Sequence, residues 1–108
     1  MNKEKLNEIL RLHLMWLNFE DGGVRANLEG VDLEGVDLSG VDLRGANLRG
    51  TNLRDAVLFN VDLFDTDLSR ANLFGADLRN SNLNGVNLSG ASLSRAKLKG
   101  TILEGTNV

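Results

Sequence analysis

Residues 26–50 read ANLEG VDLEG VDLSG VDLRG ANLRG. The leucine at the centre of each unit recurs every fifth residue without an insertion from Leu28 to Leu103, sixteen in a row. Two positions before it stands a small or β-branched residue: seven Ala, five Val, three Thr and Ser81. The position between is mostly Asp or Asn, and the position after the Leu varies. Ten of the twelve glycines fall two residues after a Leu, and the other two are the pair Gly22-Gly23. An α-helix cannot use this spacing, since five residues advance about 140° and the leucines would spiral over every face. A flat strand fails too, because alternation sends leucines five apart to opposite faces. What fits is a short extended piece with the small residue and the Leu pointing inward, followed by a bend that re-aims the chain.

The bend position carries, besides ten Gly, Asp55, Asn60, Asp65 and Asn80, which tolerate a left-handed backbone. Arg70 and Arg95 depart from this rule and predict corners without positive φ, of type I. Stacked bends make a solenoid in which leucines pile coil upon coil. Each buried Leu contributes roughly 1.5–3 kcal/mol against a large conformational entropy cost, so only the full stack is stable.

Units such as AN-LEG, VD-LSG, AN-LRG and AD-LRN resemble the pentapeptide-repeat family, whose motif is A(D/N)LXX; the resemblance covers residues 26 onward. It implies an all-β solenoid, a right-handed quadrilateral β-helix with four units per coil. Residues 26 to 105 then make about four coils, a rod roughly 20 Å long at the usual strand spacing. Residues 1–25 form the N-terminal part and 26–108 the repeat. Residues 3 to 18 read as an amphipathic helix with Leu6, Ile9, Leu10, Leu14 and Leu17 on one face and Lys3, Glu4, Asn7, Glu8 and Arg11 opposite. Laid over the first coil, this α-helical cap would cover its open edge and exposed leucines. Gly22-Gly23 stops it, and His13 and Trp16 are expected to be structural. At the other end Leu88, Leu93, Leu98 and Leu103, with Ile102 where Asp or Asn is usual, form a last layer expected to pair end to end with a second copy.

Catalytic constellations are missing: the chain has no Cys, a lone His13, and no phosphate loop or metal-ligand spacing. The Asp residues at Asp32, Asp37, Asp42, Asp62, Asp67 and Asp77 point outward on separate sides, with Asp42 above Asp62 and Asp37 above Val57. No metal, no cofactor and no enzyme activity are expected. Fifteen acidic and twelve basic residues give a formal net charge of −3, which does not suit direct nucleic-acid binding. The short apolar run around Leu14–Leu17 spans no bilayer and lacks a signal-peptide pattern, so a cytoplasmic protein is expected. Residues 26 to 43 hold five acidic and no basic residues, while Arg95, Lys97 and Lys99 lie near the other end.

Outward Val57, Phe59 and Phe64, with Phe74 further round, are the residues expected to contact a protein partner. The resemblance implies a second reading. The family's best-understood members are acidic rods that mimic DNA and bind DNA gyrase or topoisomerase IV, here through the face around Asp32, Asp37, Asp42, Asp62 and Asp67. A phosphate backbone carries one charge per ~1.7 Å, denser than these carboxylates. The expected function is therefore a protein-interaction or structural module of unknown partner, with gyrase or topoisomerase mimicry as the alternative.

Overall fold

The computed structural model describes residues 1–107; Val108, the last residue of the region assigned to the repeat, lies outside the described residues. From Ala26 the chain winds with a period of twenty residues. Asn27 lies in a parallel bridge with Asn47, Asp37 with Val57, Asp42 with Asp62, and so on down to Asn87 with Asn107. The coils are thus 26–45, 46–65, 66–85 and 86–105, each with four turns. The pairing is by isolated residues and not by strands, because a turn at every fifth residue leaves a single residue free to pair on both edges. That residue is the Asp/Asn of the unit. The Leu28 N–H donates to the Asn47 carbonyl at 2.8 Å and the Asn47 N–H donates back to the Ala26 carbonyl at 3.0 Å, a pattern repeated down the stack.

All sixteen bend residues have positive φ, Arg70 (61°) and Arg95 (59°) included, so the expectation of type I corners at the two arginines is corrected. A left-handed non-glycine residue costs about 1–2 kcal/mol, but a different turn at one corner would break the register of every column below it. The Arg70 N–H is also held by the Ser89 carbonyl at 2.9 Å. Beneath a bend that carries an Asp, a side chain would have to displace the carboxylate, whereas Asn80 beneath Asn60 shows that two such bends can stack. A Cβ on Gly75 would lie 2.2 Å from the Asp55 Oδ1, and one on Gly85 would lie 2.1 Å from the Asp65 Oδ1.

Twelve leucines from Leu28 to Leu83 are completely buried, and the Ala and Val partners fill the space beside them. Where the small position is Thr or Ser, its hydroxyl is not wasted on a dry interior. Thr51 donates to the Leu28 carbonyl (2.9 Å), Thr66 to that of Leu43 (2.7 Å), Thr101 to that of Leu78 (3.0 Å) and Ser81 to that of Leu58. Each bond joins residues 23 apart and so ties one coil to the next.

Helix α1 spans Lys3–Leu17, opened by the Asn2 side chain, which accepts from the Lys5 N–H at 2.8 Å. Leu6 joins the buried core, and Ile9 and Leu10 pack against it, as do Val31, Val36 and Val41 of the first coil. The next residue inward is His13 and not Leu14. His13 is fully buried, its Nδ1 accepting from the Ala26 N–H at 2.9 Å, whereas Leu14 faces solvent. This corrects the expected apolar face: the bond to the first residue of the repeat sets the helix rotation. Trp16 stacks on His13 with ring centroids 5.4 Å apart and reaches across Gly45. The helix ends at Leu17, before the glycine pair. Gly23 instead lets the chain double back, since a Cβ there would sit 2.3 Å from the Trp16 nitrogen.

Candidate interaction surface

The outward positions form columns of residues twenty apart, and most of them are occupied with holding the turns. All twelve Asp and Asn at the paired position of the sixteen units accept, through Oδ1, from the N–H two residues on, as Asp37 does from Ser39 at 2.9 Å and Asn72 from Phe74 at 3.0 Å. These are Asx turns, and they explain why the unit demands Asp or Asn there. Amide groups add rungs: Asn52 Nδ2 donates to Asp32 Oδ1 at 3.0 Å and Asn82 Nδ2 to Asp62 Oδ1 at 3.2 Å.

Part of the acidity expected on the first coil is matched, two glutamates from the second coil and Asp42 from within the first. Arg49 lies 4.0 Å from Glu29, Arg54 lies 3.9 Å from Glu34, and Arg44 holds Asp42 at 2.7 Å while reaching Asp62 at 3.8 Å. The Arg44 guanidinium keeps the Asp42 carboxyl below its usual range. One coil from the end Arg79 grips Asp77 with two bonds of 2.8 and 2.7 Å and lowers its pKa to about 2. The Asp residues at the paired position are thus bonded into turns, and Glu29, Glu34, Asp42, Asp62 and Asp77 also meet an arginine. Among the described residues no group of three or more His, Cys, Asp or Glu is placed to hold a metal ion.

The structure divides the four apolar residues singled out above. Val57 and Phe59 lie on the third side of the second coil and Phe64 on the fourth; Phe59 and Phe64 are 39% and 44% exposed. Phe74 belongs to another column, a coil further down and on the second side. There it is half-buried, with the Arg54 guanidinium 4.3 Å and that of Arg95 5.9 Å from its ring centroid. Cation–π contact of this kind covers an aromatic face. In the last coil burial fades in order: Leu88 is buried, Leu93 half-buried, Leu98 37% and Leu103 48% exposed, with Ile102 also exposed.

Against this geometry, the family described as Pentapeptide repeats matches in eight copies, over residues 24–59, 37–73 and 71–108. The chain belongs to the pentapeptide-repeat family. Solved structures agree. A pentapeptide repeat protein from Nostoc Pcc 7120 is 42% identical with a TM-score of 0.68, over 82% of this chain and 73% of its own. One from the Arabidopsis thaliana thylakoid lumen is 34% identical with a TM-score of 0.53, over 74% of this chain and 59% of its own. QnrB1, a plasmid-mediated fluoroquinolone resistance protein, is 26% identical with a TM-score of 0.55, over 69% of this chain and 42% of its own. Among curated proteins nothing matches. No helix among the described residues is long and apolar enough to cross a membrane. The Arabidopsis relative is a thylakoid-lumen protein, so the fold does not by itself place the chain in the cytoplasm.

In the sequence Val57 stands far from Lys97 and Lys99. Counting by twenty would have joined them: Asp37, Val57, Asp77 and Lys97 are one column of bridges, and Ser39, Phe59, Arg79 and Lys99 run beside it.

Proposed function

We propose that this pentapeptide-repeat protein is a non-enzymatic binding or structural module, a rigid, right-handed, four-sided rod that presents side chains in rows to a protein partner. The observation that carries the reading is that Phe59 and Phe64 stay exposed on successive corners of one coil, while the surrounding polar side chains are consumed by turns and ion pairs. Apolar side chains held on a stiff scaffold suit recognition by another protein. The test is a pulldown from the native host with the parent and with Phe59→Ser/Phe64→Ser. The expected result is loss of the captured proteins at an unchanged melting temperature; equal capture by both would overturn the reading.

The alternative, a DNA mimic acting on gyrase or topoisomerase IV, draws on the likeness to QnrB1. A supercoiling assay with and without a quinolone decides it, and no effect is expected because Arg44 draws on Asp42 and Asp62 and the remaining carboxylates are too sparse to match a phosphate backbone.

We further propose that two copies meet through the last coil. Leu98, Ile102 and Leu103 are exposed there, and end-to-end contact about a two-fold axis would bury both sets at once. Light scattering is expected to give a dimer for the parent and a monomer for Leu103→Lys. A parent that stays monomeric at high concentration would sink this proposal.

A further inference from the structure

The paired position departs from Asp or Asn four times, at Val57, Ser92, Lys97 and Ile102, and two of the four share the third side. An outward residue that makes no Asx bond is free of the turn's demand, and this column gives up the bond at Val57 in the second coil and again at Lys97 in the last, where Ser92 and Ile102 depart as well. Down this side the outward residues run from Asp37 and Ser39 through Val57 and Phe59 to Asp77 and Arg79 and then Lys97 and Lys99. The apolar pair therefore stands two coils, on the order of 10 Å, from the two lysines.

The side is also unbalanced in charge. Arg79 spends its charge on Asp77 and lies 5.7 Å from the Phe59 ring centroid. Lys97, Lys99 and neighbouring Arg95 have no ion pair among the described residues. A lysine where the fold would favour Asp gives up a useful acceptor for a cation that makes no ion pair among the described residues, although its charge reaches Asp77 one coil above.

Resting on the proposed binding role, we infer that the third side docks an acidic segment of a protein partner, an apolar side chain seating on Val57 and Phe59 and carboxylates meeting Lys97 and Lys99. Charge complementarity selects the occupant. A nucleic acid would also meet the cations, but the apolar pair contributes nothing to a phosphate backbone and the chain's net charge of −3 repels one. Attraction between exposed charges is screened by salt, so binding is expected to weaken as ionic strength rises.

The experiment is a selection of random-sequence phage-displayed peptides on the immobilised full chain. The binders are then synthesised and titrated by fluorescence anisotropy against the parent, Lys97→Glu/Lys99→Glu, Phe59→Ser, and Arg49→Glu on another side. Peptides enriched in Asp and Glu around one large apolar residue are expected. Affinity should drop about tenfold or more with the lysine double variant and with Phe59→Ser, and stay within about twofold with Arg49→Glu. Peptides without acidic bias, or affinity unmoved by the lysine variant, would overturn the inference. So would tighter binding to a labelled DNA duplex than to any selected peptide. The native-host pulldown separates the two readings: capture lost with Phe59→Ser/Phe64→Ser but kept with Lys97→Glu/Lys99→Glu leaves the binding module standing and removes its acidic partner.

Discussion

Leu58→Asp or Leu63→Asp is expected to leave no folded protein at 25 °C. Both leucines are fully buried in the second coil, stacked between leucines above and below. The substitution removes about 1.5–3 kcal/mol of burial and places a carboxylate where nothing is free to bond it, a further loss of several kcal/mol. Small domains have only about 5–15 kcal/mol in total, and a coil that opens in mid-stack exposes the edges on both sides. Asp62→Asn, one residue from Leu63, keeps the Oδ1 that accepts from the Phe64 N–H and is expected to melt within about 2 °C of the parent. Circular dichroism melts of the three variants are the check. A Leu58→Asp protein with a parent-like transition would show that the leucines do not form the interior.

Removing residues 1–20 is expected to have the next largest effect. The deletion strips Leu6, Ile9 and Leu10 from the first coil, exposes Val31, Val36 and Val41, and takes away the His13 acceptor of the Ala26 N–H. The first coil would then present unpaired backbone and an apolar layer together, the combination that recruits other chains. Size exclusion with light scattering should show aggregates, and a truncated chain that remains monomeric and melts like the parent would refute the capping role.

The same junction is sensitive to acid in the intact protein. Burial pushes the His13 imidazole below its ordinary 6.5; the Arg44 backbone carbonyl and Asp42 oppose this, and the Arg25 and Arg44 charges reinforce it. The unfolded chain therefore takes up this proton first. Stability should decline as the pH falls from about 6.5 to the lowered value and then level off. Asp37, Asp42 and Asp77 are shifted down from 3.8, so their losses lie at lower pH. A His13→Gln variant should flatten the melting profile between pH 6.5 and 5.

What the sequence determined by itself is the five-residue unit, the inward leucines, the bend at every fifth residue and the presence of a capping helix, while the twenty-residue stacking came from the family resemblance and is seen in the bridges of the structure. The former depend on local facts, namely which residues bend and how side chains alternate between bends, and they repeat often enough to be unmistakable. The Asx turns are legible in principle as well, since each links residues two apart, but the pattern alone says only that these Asp and Asn point outward. What only the tertiary structure decided depends on contacts twenty or more residues apart. Arg44, Arg49 and Arg54 neutralise carboxylates on a neighbouring coil, Arg54 and Arg95 cover Phe74, and the Ala26 N–H selects His13 over Leu14 as the inward residue of the helix. Arg70 adopts a left-handed bend against its own preference for the same reason. A residue's conformation and exposure in a stack are set by the coils above and below it, and a five-residue unit does not contain them.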